Sequence, residues 1–167
     1  MKKSFVKKLG AMFVCAIMLC TSAITASAAT SPKEGATELV EGIFIDPATF
    51  DSSKGIGDGI VLYANFTISA TNLAPGRYVP SSSTYYIHQG VEDLGYTVSW
   101  SPTGNNIRLG FVNRQDSRKQ YYITCKGGKE TGTMGTANVP SGEYYVVFAN
   151  VSSNSENVNG SATCYWK

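Results

Sequence analysis

The chain contains a single histidine, His88, in the run Tyr85-Tyr86-Ile87-His88-Gln89-Gly90. Any Ser-His-Asp or Cys-His machinery must therefore pass through that one imidazole. No G-x-S-x-G nucleophile signature lies near it, and zinc sites need more His and Cys ligands than the chain supplies. The plain reading is a surface histidine at a strand end. A carboxylate pair for glycoside hydrolysis could be drawn from Glu92, Asp93, Glu130 and Glu143, but no spacing selects two of them. Asp46, Asp51 and Asp58 share one Gly- and Ser-containing loop. They are the calcium candidates, because Ca²⁺ takes carboxylate oxygens. Their spacing is not that of an EF-hand, and turn chemistry accounts for them equally well. Gly55-Ile56-Gly57-Asp58-Gly59 holds a G-x-G, yet it precedes a strand pattern and opens no helix, so it carries no dinucleotide signal. No cofactor is implied.

The tyrosines are more informative. Three adjacent pairs occur: Tyr85-Tyr86, Tyr121-Tyr122 and Tyr144-Tyr145. Neighbouring residues of a strand point to opposite faces. Tyr85 keeps step with Ile87, Tyr121 with Ile123, and Tyr144 with Val146 and Phe148. Tyr86, Tyr122 and Tyr145 are therefore expected to face away from the core. On neighbouring strands they would form an aromatic platform able to stack on sugar rings or grip a protein. The competing reading is cross-strand aromatic pairing that merely stabilises a sheet.

Strands are the elements that would position these groups. Ile60, Leu62, Ala64, Phe66 and Ile68 alternate with Tyr63, Asn65 and Thr67. Leu94, Tyr96, Val98 and Trp100 alternate with Gly95, Thr97 and Ser99, and Ile107, Leu109 and Phe111 follow after a Pro/Gly/Asn turn. Tyr121, Ile123 and Cys125, then Tyr144 to Ala149, then Val158 to Trp166 continue the period of two, and a small-residue strand is expected over Thr131–Val139. Ile43-Phe44-Ile45 is a short apolar run closed by Asp46-Pro47. No helix longer than a turn or two is expected. Many short strands with frequent turn signals predict an all-β protein, a single small antiparallel β-sandwich.

The N-terminus has four lysines before an apolar core of about 11 residues, where a spanning helix needs about 20. Ala26-Ser27-Ala28 then offers a small-x-small cleavage site. Residues 1–28 read as a signal peptide, 29–37 as a flexible leader and 38–167 as the domain. The protein is expected to be secreted and extracellular, without stable membrane insertion. Removing 28 of 167 residues leaves 139, with ten Lys and Arg against twelve Asp and Glu, a net charge of −2. That balance argues against a nucleic-acid partner. Cys125 and Cys164 remain as an even pair, and export predicts a disulfide between them. It would close a loop of about 40 residues, stabilising by about 4 kcal/mol. Three N-x-S/T sequons, at Asn65, Asn150 and Asn159, read as accidents of composition in a chain whose leader looks bacterial.

The second half adds a resemblance. Tyr96-Thr97-Val98-Ser99-Trp100, a turn, Ile107-Arg108-Leu109-Gly110-Phe111, and later Gly142-Glu143-Tyr144-Tyr145-Val146 with one closing strand follow each other in order. This resembles the pre-peptidase C-terminal modules of secreted bacterial proteins. The resemblance implies a jelly-roll-like sandwich ending in a G-x-Y-x-V hairpin, and an accessory binding role. Asn105–Phe111 lacks the aspartates usual at that strand, so no calcium role is carried over. The expected function is a non-catalytic extracellular binding module for cell-wall glycan or a surface protein. A small secreted toxin or bacteriocin-like effector is the alternative, and a hydrolase with an unrecognised carboxylate pair the third.

Overall fold

Alternating apolar residues become strands because only one face of each can be buried, and the buried faces must meet. The computed structural model describes residues 35–51, 53 and 65–167. Eleven strands are present among them: β1 (Thr37–Glu38), β2 (Val40–Glu41), β3 (Phe66–Leu73), β4 (Tyr78–Pro80), β5 (Tyr85–Ile87), β6 (Leu94–Ser101), β7 (Ile107–Asn113), β8 (Gln120–Cys125), β9 (Lys129–Gly135), β10 (Gly142–Asn150) and β11 (Val158–Trp166). Sheet A runs β1-β9-β6-β11-β3, and sheet B runs β2-β8-β7-β10-β4, with β5 also on β10. Setting aside the two-residue strands β1 and β2, the chain passes back and forth between the sheets in the manner of a jelly roll. The all-β sandwich expected from the sequence is therefore the observed architecture.

The inner faces are those the alternation indicates. Leu94, Tyr96, Val98 and Trp100 from β6 meet Ile107, Leu109 and Phe111 from β7, with Tyr144, Val146 and Phe148 from β10. Trp100 donates its indole N–H to the Asn105 carbonyl at 2.8 Å, so the buried ring leaves no unmet donor there. β10 is buried along seven consecutive residues from Tyr144 to Asn150. Such a run means a strand covered on both faces. Tyr145, Val147 and Ala149 of β10 join Val112 of β7 and Ile45 in a second apolar cluster outside the sandwich.

The cover is the segment 35–51. Its first part crosses the open side of the sandwich. β1 pairs with β9 of sheet A and β2 with β8 of sheet B, and Leu39 between them is buried in the main core. The apolar run Ile43-Phe44-Ile45 then leaves strand geometry and lies over sheet B as an irregular strap. One side chain holds it there. Gln120 Oε1 accepts from the Phe44 and Ile45 amides at 2.8 and 2.9 Å. Gln120 Nε2 donates to the Ile45 carbonyl at 2.8 Å and the Ser117 carbonyl at 2.7 Å. A fully buried glutamine is thus satisfied by backbone groups that no ladder serves.

Three segments bear on the sequence-based expectation. β3 extends to Leu73, while Ile60–Ala64 lie outside the described residues, as do the signal peptide and most of the leader. β9 ends at Gly135, and Thr136–Val139 close a turn through the Val139 amide and the Thr136 carbonyl at 3.0 Å. β4, bracketed by Pro75 and Pro80, is an edge strand, where a missing N–H costs least. Beyond Pro80 the ladder is patched by Ser81, whose amide donates to the Val146 carbonyl at 2.7 Å while its Oγ accepts from the Val146 amide at 3.1 Å.

Candidate functional site

Tyr86, Tyr122 and Tyr145 all point away from the sandwich core on sheet B, as alternation requires, but they do not form one platform. Tyr145 is only 1% exposed. The strap buries it, with Phe50 packed edge-on at 5.6 Å and Phe50 also stacked on Tyr78 at 5.3 Å. Burial raises the Tyr145 pKa. Tyr145 is thus a packing residue, because the sequence signal for "outward" does not say what lies outside. Tyr122, on the far side of β7, is half-buried between Phe44 at 5.1 Å and the Arg108 guanidinium 4.2 Å from its ring centroid. A cation over a ring face occupies the surface a ligand would use.

Tyr86 alone is open, at 41% exposure. It sits mid-way along β5, directly opposite Glu143 of β10. Glu143 pairs with Arg114 at 2.7 Å, so the charge beside the ring is balanced. On the other side the His88 ring lies 4.8 Å from Tyr86, tilted by 58°. His88 is held by Glu92: Nδ1 lies 2.7 Å from Oε1, and the His88 amide donates to Oε2 at 3.0 Å. The imidazole is half-exposed while the Glu92 side chain is nearly buried. The turn carrying them is closed by the Val91 amide on the His88 carbonyl at 3.0 Å and by the Gly90 amide on the Thr136 carbonyl at 3.2 Å. Val91 at the tip is 59% exposed. Aromatic, imidazole and aliphatic surface therefore share one end of sheet B, beyond the reach of the strap.

The other candidate groups are each engaged in their own local contacts. Asp93 is buried and accepts from the Thr136 amide at 3.2 Å, and Glu130 accepts from the Tyr96 hydroxyl at 2.9 Å. With Glu92 on His88 and Glu143 on Arg114, each of the four carboxylates has a separate structural partner. Ser141 Oγ accepts from the Gln89 amide at 3.0 Å. Asp46 Oδ1 caps its own turn through the Ala48 amide at 2.9 Å, and Asp51 Oδ1 takes the Ser53 amide at 3.0 Å. Asp58 lies outside the described residues. Among the described residues no cluster of three or more His, Cys, Asp or Glu could hold a metal ion.

The cysteines differ from expectation. Cys125 and Cys164 are free thiols, both buried. They lie on strands of opposite sheets, β8 and β11, and both belong to the main core cluster as small apolar groups. Burial pushes Cys164 up to about 12 and raises Cys125 further, with Glu130 adding to the effect. Thiols held protonated in this way are poor nucleophiles.

Glu92 is the residue of this site that sequence reasoning placed only in a pool of acids. The signal was present in the spacing: four residues after His88, across Gly90, a carboxylate can turn back onto the ring. No family model matches the chain, and no curated protein matches it.

Proposed function

We propose that this protein is a non-catalytic, secreted binding module that holds a cell-wall glycan or surface protein through the open end of sheet B. The observation that carries the reading is the Tyr86–His88 corner. A rigid aromatic ring is exposed next to an imidazole whose own position is fixed, and such pre-ordered groups lose little entropy on binding. The separate structural partners of the four carboxylates and the raised pKa of both buried thiols favour binding over hydrolysis. The resemblance to pre-peptidase C-terminal modules supports an accessory role of the same kind, and the leader supports delivery outside the cell.

Co-sedimentation tests it. The purified protein should pellet with isolated cell walls or insoluble polysaccharide, and Tyr86→Ala should return it to the supernatant. A protein that stays soluble across a broad panel of walls, glycans and surface proteins would refute the reading.

A further inference from the structure

We propose that Tyr86, His88 and Glu92 form a subsite for one pyranose ring of an uncharged polysaccharide, with Glu92 as the positioning residue that sets the tautomer of His88. The inference rests on the binding-module reading and gives that site a ligand class. It begins with the hydrogen bond at 2.7 Å between His88 Nδ1 and Glu92 Oε1. With Glu92 as a carboxylate, which only accepts, the proton of that bond belongs to Nδ1. In a neutral imidazole the remaining lone pair is then on Nε2. Nε2 has no hydrogen-bond partner among the described residues. Glu92 also accepts from the His88 backbone amide at 3.0 Å, so one carboxylate holds both the ring, at Nδ1, and the backbone of the same residue.

This places a fixed acceptor beside an exposed aromatic face. The two rings stand at 58° with centroids 4.8 Å apart, making a shallow corner with one apolar wall and one polar wall. A pyranose has the matching surfaces: a face of C–H groups that stacks on an aromatic ring, and hydroxyls at its edge that donate to an acceptor. Val91 adds apolar surface at the tip of the same turn. Charge decides the class of sugar. Glu143, opposite Tyr86 on β10, is joined to Arg114 at 2.7 Å, and the Glu92 carboxylate stands behind the imidazole. Among the described residues, one guanidinium already paired against two carboxylates offers little to a phosphate or uronate, so the fit is to a neutral chain.

The lone histidine makes the test direct, because its ring nitrogens give one set of NMR signals without assignment by mutation. Uniformly ¹⁵N-labelled protein is recorded free and then titrated with cellohexaose, xylohexaose, mannohexaose and chitohexaose, alongside Tyr86→Ala and Glu92→Gln. The free protein should show the Nδ1–H tautomer. At least one oligosaccharide should shift the Nε2 resonance saturably. Tyr86→Ala should bind it about tenfold more weakly or worse. Glu92→Gln should bind more weakly while keeping its fold and showing a changed tautomer balance. An Nε2–H tautomer in the free protein overturns the role of Glu92. If an oligosaccharide binds without moving His88, and equally well to Tyr86→Ala, the subsite is overturned while the binding-module reading stands. The subsite is likewise overturned if walls capture the protein but no neutral oligosaccharide binds. If no oligosaccharide binds the subsite falls, and the underlying reading falls with it when walls and surface proteins also fail to capture the protein.

Discussion

Sheets A and B share an inner face of the same apolar kind but turn opposite outer faces to their surroundings. On sheet A the outer row is Thr67, Thr163, Thr97 and Thr131, in register across β3, β11, β6 and β9. All four are exposed. Thr67 and Thr163 hydroxyls lie 3.2 Å apart, as do those of Thr97 and Thr131. Among the described residues nothing covers this face except its own side chains, such as Tyr165, whose ring fills the space that a Cβ on Gly95 would need. On sheet B the corresponding positions are Val112, Tyr145, Val147 and Ala149, and the strap seals them. Hydroxyls tolerate water, whereas an apolar strand face does not. A sheet with two apolar faces needs a third layer, and here a stretch of irregular chain supplies it. The uncovered remainder of sheet B is where Tyr86 and His88 emerge.

The largest effect that would test this contrast is Tyr145→Ala. Removing a ring buried under the strap should cost about 3–5 kcal/mol, read by denaturant unfolding. A loss below about 1 kcal/mol would mean the strap is not a true layer of the core. Gln120→Ala comes next. It strips acceptors from two amides and a donor from two carbonyls, at about 1–3 kcal/mol for each group left buried and unpaired. Hydrogen exchange at the Phe44 and Ile45 amides should rise with it, and unchanged protection would show that apolar contact alone holds the strap.

The pH dependence should also reflect the buried face. Burial pushes Tyr85 and Tyr121 up to about 12, and Cys164 likewise. Unfolded, tyrosine titrates near 10 and the thiol near 9. In that window the unfolded chain binds fewer protons than the folded one, so stability falls as pH rises. The thermal midpoint should hold to about pH 9 and drop steadily towards pH 12. A flat profile across that range would show these groups to be solvent-accessible. At the small end, Thr97→Ala on sheet A should cost about 0.2–1 kcal/mol, the worth of one cross-strand pair.

The sandwich was readable in the sequence because alternation is enforced wherever one face is wet. Leu94 to Trp100 and Val158 to Trp166 declare their inner faces without help from the rest of the chain. Sheet B was harder. Tyr144 to Ala149 reads as a strand with one face in the core, and nothing in its own residues announces the layer that buries the other face. The strap escaped for the same reason: Ile43-Phe44-Ile45 has the composition of a strand, and only Gln120, some 75 residues away, explains why it lies as an irregular cover. Of the three tyrosines expected to form a platform, the outward direction of each is correct on the backbone, yet Tyr145 is sealed and Tyr122 is shared with Phe44 and Arg108. The disulfide was inferred from number and compartment, which carry no information about where two strands bring their sulfurs.

We propose that the open end of sheet B binds while the hydroxyl face of sheet A does not. The direct measurement is a binding isotherm on insoluble cell-wall polysaccharide for the wild type, Tyr86→Ala and Thr97→Ala, with the thermal midpoint of each recorded alongside. The prediction is loss of binding in Tyr86→Ala alone, with both variants folded and the midpoint of Tyr86→Ala close to that of the wild type. Full retention by folded Tyr86→Ala, or loss of binding in Thr97→Ala instead, would contradict it.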